Sequence, residues 1–280
     1  MIKLSDSEMS EMVEIIRRES GIDYSIEKKY LFETRLNRRL RDLDIDSYTE
    51  YLKLVNEGRN NGEEQKYLVN AATTNETSFF RNPEQIETLL KVILPQIVET
   101  KRQNGEKGEK TIKIWSAASS SGEEIYTIAM AITEKFHIPP SLKLELFGSD
   151  INELMLEKAR KGLYSRHALR NTPDDYVKKY FMKIGDDYEL KLNRIPPITF
   201  KQINLTQLTK HPELRNFDVV FCANVLIYFS KEARINVVED IYKAMSSPGY
   251  FFTGHAETLH NISKDFKLVD ANGIPTYKKN

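Results

Sequence analysis

The sequence predicts an α/β protein: a doubly wound, Rossmann-like sheet with a small β insertion, preceded by a small all-helical domain. Three observations predict it. Up to about residues 60 to 80 apolar residues recur at helical spacing; from Thr111 strand-like and helix-like segments alternate; and Ile112 to Glu124 tips an alternating apolar strand through small residues and a glycine into a helix. The 280 residues suffice for one large domain or a larger plus a smaller one.

The elements follow in chain order. Met9, Met12, Val13 and Ile16, then Phe32, Leu36, Leu40 and Leu43, then Tyr51, Leu52 and Val55 describe short packed helices. Asn56 to Gly62 reads as a turn, and Asn82-Pro83 opens a helix over 84 to 100. The charged, glycine-bearing stretch Lys101 to Lys110 predicts a mobile loop. Strands are expected over Thr111 to Ser116, Leu142 to Gly148, Ile198 to Ile203, Phe217 to Cys222 and Tyr250 to Thr253. Helices over Glu123 to Lys135, Ile151 to Lys161 and Lys231 to Met245 fall between them, an order that favours a mostly parallel sheet. Phe266 to Val269 and Thr276 to Lys278 complete it as an antiparallel edge pair, and Tyr180 to Arg194 reads as a hairpin turning at Gly185-Asp-Asp187.

Composition narrows the function. Forty-one basic and 41 acidic residues cancel, which removes any global electrostatic reason for a nucleic-acid partner. Cys222 is the only cysteine, so neither an internal disulfide nor a thiolate metal cluster is expected. The five histidines show no ligand spacing, so no metal is expected. Charge arrives too early for a signal sequence and no stretch approaches a membrane span, so a cytoplasmic protein without membrane insertion is expected.

The strand-to-helix cradle is the candidate ligand site. Glu123 and Glu124 at the helix start would repel a pyrophosphate, and no Lys or Arg follows Gly122 as a phosphate loop demands. A hydroxyl-rich or cationic ligand suits it better. Asp150 closes the second strand; it serves either as a helix-start acid or, as in Rossmann-like folds, as the acceptor for ribose hydroxyls. Asn224 and Tyr228 follow another strand at the same rim, either packing there or facing a ligand. Arg81, after Phe79-Phe80, is placed to meet a carboxylate. Ser119-Ser-Ser121 lacks a nucleophile elbow, so covalent acyl chemistry fits poorly.

Taken together, Asn75-Glu-Thr-Ser-Phe-Phe-Arg81, Trp115 to Tyr126, Gly148-Ser-Asp-Ile151, Lys158 to Tyr164, Tyr180-Phe181, Asn204-Leu205 and Asn224 to Phe229 resemble the CheR family of chemotaxis receptor methyltransferases, in family order over nearly the whole chain. The resemblance implies a class I methyltransferase sheet at residues 75–280, with a β-subdomain inserted at about 178–200, and a helical receptor-recognition domain at residues 1–74. It also implies S-adenosylmethionine as cofactor and methyl transfer to glutamate carboxylates on receptor cytoplasmic helices, giving glutamate methyl esters and S-adenosylhomocysteine. Asn75, Thr77, Arg81, Glu124, Asp150, Asn204, Leu205, Ala223 and Asn224 then occupy cofactor-site positions, and a monomer is expected.

The implied chemistry asks little of a base, because a substrate carboxylate is already ionised near neutral pH and attacks as it is. Arg81 and Tyr228 are therefore expected beside the reacting groups as orienting residues. Arg35, Arg38 and Arg39 project from a different arc of their helix than its apolar face; they are either solvated or, as the resemblance implies, receptor-facing. Ala223 stands where many relatives carry arginine, and the hairpin looks shorter than in members that grip a receptor tether. A cofactor-binding regulator without transfer activity is the alternative.

Overall fold

The computed structural model describes residues 2–103, 110–271 and 273–280. The chain forms two compact units. One takes in the chain as far as Thr74 together with Tyr228–Arg234; the other comprises Asn75–Ile227 and Ile235–Asn280.

The first unit is helical: α1 (Asp6–Ser20), α2 (Lys29–Asp42), α3 (Tyr48–Glu57) and α4 (Arg59–Ala72). Ser5 and Glu8 form a reciprocal capping box that satisfies orphan N–H groups at the start of α1, and Gly21 ends it at a φ of 75°. The expected stripe of α2 is buried at Phe32, Leu36 and Leu40. Asn56 to Gly62 is not a turn throughout: Gly58, at a φ of 60°, breaks the chain alone and α4 begins at Arg59. The segment Tyr228–Arg234 joins these helices through backbone bonds, Asp23 N–H to the Tyr228 carbonyl at 2.8 Å and Ser230 N–H to the Gly21 carbonyl at 3.1 Å.

The second unit opens with a continuous helical stretch, α5 (Pro83–Thr88), a π turn at Leu89–Ile93 and α6 (Leu94–Gln103). Pro95 has no N–H for the carbonyl four residues back, and the widened turn accommodates that loss. Of the expected mobile loop, residues 104–109 lie outside the described residues; Lys101, by contrast, is helical and buried.

Strands β1 (Thr111–Ala117), β2 (Lys143–Asp150), β6 (Ile198–Gln202), β7 (Phe217–Cys222), β8 (Met245–Thr253), β9 (Lys267–Ala271) and β10 (Ile274–Lys279) form a seven-stranded sheet in the order β6-β2-β1-β7-β8-β10-β9. The first five are parallel and β10 and β9 antiparallel, the doubly wound arrangement that the alternation predicts. Helices α7 (Glu123–Lys135), α8 (Glu153–Lys161) and α10 (Lys231–Ala244) intervene in sequence. Ile112, Ile114, Ile128, Leu146, Val219 and Phe252 lie at the centre of the core. Strand order reverses at β1, between β2 and β7, so a ligand crevice is expected beyond the carboxyl ends of those strands.

The insertion is a three-stranded sheet and not a lone hairpin: β5 (Asp187–Leu190) lies between β4 (Phe181–Ile184) and β3 (Leu163–Ser165), preceded by α9 (Asp174–Tyr180). Asp187 already pairs with Ile184, so the turn is Gly185-Asp186 alone, with Gly185 at a φ of 61°. Three strands bury Phe181 and Leu190 against Phe79 and Tyr180, which a lone hairpin would leave marginal.

Candidate active site

The cradle is built by backbone that turns against its handedness. After β1, Ala118, Ser120 and Gly122 all take positive φ, and Gly122 has no room for a side chain, since a Cβ would meet the Tyr126 ring at 2.9 Å and the Ala159 Cβ at 3.0 Å. Two contacts from the end of β2 hold this path. The Ser149 carbonyl accepts the Ser119 N–H at 2.7 Å, and Asp150 Oδ2 accepts the Ser120 N–H at 2.7 Å.

Asp150 is the last residue of β2 and not a helix cap; Asn152 caps α8 instead. Its Oδ1 accepts the Asn152 N–H at 2.9 Å. Burial pushes the carboxyl pKa up, opposed by the backbone N–H groups of Asn152, Ser120 and Ile151. A carboxylate has roughly four acceptor positions, so those bonds leave room for a ligand hydroxyl.

Glu124 sits half-buried in the first turn of α7, accepting the Ser116 hydroxyl at 2.7 Å. Burial pushes its pKa up to about 7; the Ser116 bond and the Arg81 guanidinium pull it down, and the Glu257 charge raises it. Neighbouring Glu123 is also pushed up to about 7 by burial, but its two oxygens accept the Ser121 hydroxyl, each at 2.9 Å. Of the two acids that mark the cradle in sequence, Glu123 feels Lys158 and Arg170, whereas Glu124 is set between the opposing charges of Arg81 and Glu257.

The segment ahead of α5 reaches the same edge. Phe79 packs edge-on against Tyr164 and Phe181, and Phe80 against Tyr176. The Phe80 N–H is donated to Thr127 on α7 at 3.1 Å. Phe80 takes a φ of 52°, and the strained turn between anchored rings leaves Arg81 exposed, its Nη1 donating to the Glu76 carbonyl at 2.9 Å. Asn75 and Thr77 are half-buried in this segment, which Arg170 ties down through Glu76 at 2.7 Å.

Beyond β6, the Asn204 side chain accepts from the Thr206 N–H at 3.0 Å and Leu205 is buried. Beyond β7, Ala223 and Asn224 are half-buried, Asn224 at a φ of 62°. The carboxyl edge of one sheet therefore brings together Glu124, Asp150, Asn204, Leu205, Ala223 and Asn224, with Arg81 near enough to act on Glu124. Tyr228 clusters instead with the first unit, as do the α2 arginines. There Arg35 donates to the Ala71 carbonyl at 2.6 Å and Arg39 pairs with Glu64 and lies over Tyr67, whereas the Arg38 side chain is 83% exposed.

The sequence reading notes the Ala-Glu pair after His255 only as a departure from the more usual Ser-Glu of the family it resembles, and gives no site role to Glu257, the buried acid whose charge reaches Glu124. It also omits the hydroxyls of Ser119 and Ser120, buried and without a hydrogen-bond partner. Orphaned hydroxyls, a buried carboxylate with acceptor capacity and an acidic wall fit a cationic nucleoside and suit a polyphosphate poorly. Among the described residues no group of three or more His, Cys, Asp or Glu side chains is placed to hold a metal, and no helix is long and apolar enough to cross a membrane.

Residues 75–274 match the family profile described as CheR methyltransferase, SAM binding domain, and residues 7–73 the one described as CheR methyltransferase, all-alpha domain. The chemotaxis protein methyltransferase of Borreliella burgdorferi is 34% identical over 281 residues, covering 100% of this chain and 96% of its own. That of Vibrio parahaemolyticus is 34% identical, covering 99% and 98%. Chemotaxis protein methyltransferase 2 of Vibrio cholerae is 32% identical, covering 95% and 91%.

Proposed function

Since the chain belongs to the CheR methyltransferase family, we propose that it transfers the methyl group of S-adenosylmethionine to glutamate side chains of chemotaxis receptors, giving glutamate methyl esters and S-adenosylhomocysteine. Methyl transfer from S-adenosylmethionine in chemotaxis follows from the family and from relatives matched along their length. The acceptor is the finer part of the reading, and the observation that carries it is the acidic, base-poor rim. His255, beside that rim, is exposed, and a carboxylate acceptor needs no base.

When bound, the cofactor supplies a sulfonium methyl group with a neutral thioether leaving group. Asp150 would accept from ribose hydroxyls, and Glu124 would face the cationic end. Asn75, Thr77, Asn204, Leu205, Ala223 and Asn224 would line the remaining walls. Arg81 would orient the acceptor carboxylate; held by the Glu76 carbonyl, it can attract that group without quenching it in a buried ion pair. Arg38, the most exposed of Arg35, Arg38 and Arg39, is the best placed of them to meet an acidic receptor helix, while Arg35 and Arg39 shape the surface around it.

The test is incubation with methyl-labelled S-adenosylmethionine and a glutamate-bearing receptor cytoplasmic fragment. Base-labile label on glutamate is expected. Cofactor binding without transfer to any cognate receptor fragment would replace this reading with a regulatory one.

A further inference from the structure

The loops that follow β7 and β8 are closed by one side chain. Glu257 is 8% exposed, and its Oε2 accepts two backbone N–H groups, those of Asn224 and Gly254, each at 2.7 Å. Its Oε1 accepts the Ile227 N–H at 3.2 Å. The segment is fixed in turn from its own backbone, because the Thr253 hydroxyl donates to the Glu257 carbonyl at 2.7 Å and the Glu257 N–H to the Gly254 carbonyl at 2.9 Å. Gly254 is required by this closure: a Cβ there would meet Glu257 Oε2 at 2.8 Å and the Asn224 nitrogen at 2.9 Å.

This carboxylate does more than fill a loop. Asn224 stands at a φ of 62°, a conformation costly for a residue other than glycine, and its N–H is held by a carboxyl oxygen of Glu257 at 2.7 Å. Among the described residues no lysine or arginine is ion-paired to Glu257. A buried charge held only by backbone amides is an expensive way to close a loop, since a neutral acceptor would do so at lower desolvation cost. Its charge raises the Glu124 pKa.

We propose that Glu257 is a positioning residue of the cofactor pocket: it fixes the Ala223–Asn224 rim through three backbone N–H groups and sets a second negative charge facing Glu124, so that the rim is shaped and charged for the cationic end of S-adenosylmethionine before it arrives. The inference rests on the site being an S-adenosylmethionine pocket.

Glu257→Gln keeps the size and removes the charge; its amide oxygen can still accept the Asn224 and Gly254 N–H groups, whereas its NH2 cannot accept the Ile227 N–H. Calorimetric titration of the full chain with S-adenosylmethionine is expected to show affinity lower by on the order of tenfold. In turnover the loss should fall on the cofactor KM, with kcat at saturation changed much less. A second readout separates positioning from mere support. Glu124 is flanked by Ser116 on β1, Arg81 ahead of α5, Cys222 at the end of β7 and Glu257, and only the last two can add negative charge. Affinity for the cation should rise with pH as Glu124 ionises, and the midpoint of that rise should move to lower pH in Glu257→Gln. Gly254→Ala, which pushes the same contacts apart while keeping the charge, should weaken binding without that acid shift.

If wild-type protein fails to bind the cofactor, the reading of the pocket is overturned and the inference with it. If wild type binds and Glu257→Gln binds equally well with the same pH midpoint, the inference alone is overturned. Hydrogen exchange on the unmodified protein decides the matter even where variants do not fold: strong protection of the Asn224 and Gly254 amides is expected, and exchange at the rate of an open loop would overturn it.

Discussion

The two ends of strand β7 bury carboxylates in opposite ways. At its amino end Asp218 is 3% exposed and meets the ammonium of Lys101 at 2.9 Å, the Lys113 N–H at 2.8 Å and the Ser246 hydroxyl at 3.2 Å. Burial pushes its pKa up, and Lys101 heads the groups that oppose it. At the carboxyl end Asp150, Glu124 and Glu257 are held by amides and a hydroxyl, and among the described residues none is ion-paired to lysine or arginine. The first arrangement is complete in itself; the second carries a charge deficit that a cationic ligand would fill. A fold tolerates such a deficit only at a cost, and that cost marks the functional edge more sharply than the shape of the crevice does.

The comparison breaks most visibly at the paired end. Lys101→Ala would leave Asp218 buried without its cation, and denaturant unfolding should show a loss of about 3–5 kcal/mol. Replacing both partners together, Lys101→Met with Asp218→Leu, should recover most of it. Cofactor affinity of the folded protein should stay within about twofold in either variant, which corresponds to under about 0.5 kcal/mol. At the open end the order inverts: Asp150→Ala should weaken cofactor binding by about 1–3 kcal/mol in a protein that still folds. Unchanged affinity there would contradict the ribose assignment.

Acidity provides a third effect, of the same order. Glu123 and Glu124 have folded pKa values raised from 4.5 to about 7, so their protons favour the folded state. That contribution is fully present below about pH 4.5 and is lost as pH rises through 7. The cofactor-free protein should therefore lose on the order of 1–3 kcal/mol from these groups between mildly acidic and mildly alkaline pH, measured by unfolding across that range. Saturating S-adenosylmethionine should offset part of the loss. Smallest of all, Ser116→Ala removes a bond that holds Glu124 down, and should move the midpoint of cofactor affinity up by about half a pH unit or less.

Much of the architecture was legible because periodicity reports burial. Helix α7 and strand β7 fall where their apolar patterns end, and the β9 and β10 edge pair follows from two short alternating runs. Local polarity misled where tertiary structure overrode it. The charged stretch beginning at Lys101 reads as loop, yet that lysine is the buried partner of a residue 117 positions away. Strand β3 is only three residues long and has no periodicity to detect. In the candidate site, Glu124 and Asp150 stood out because each ends or begins an element, whereas Glu257 lies in an irregular segment and acts through backbone amides, whose positions no side-chain pattern encodes. Arg81 and Tyr228 were placed at the rim by their neighbours in sequence, whereas the receptor-facing role of the α2 arginines came from resemblance, because a cation on a helix surface does not reveal what it faces.

The charge deficit at the carboxyl end is tested most directly by calorimetric titration of the protein with S-adenosylmethionine near pH 6.5, in buffers of different ionisation enthalpy. Glu124 should be largely protonated before binding and ionised beside the cation afterwards. Binding should then release a substantial fraction of a proton, and Glu124→Gln should abolish that release. Proton uptake, or none exchanged in the wild type, would contradict the account.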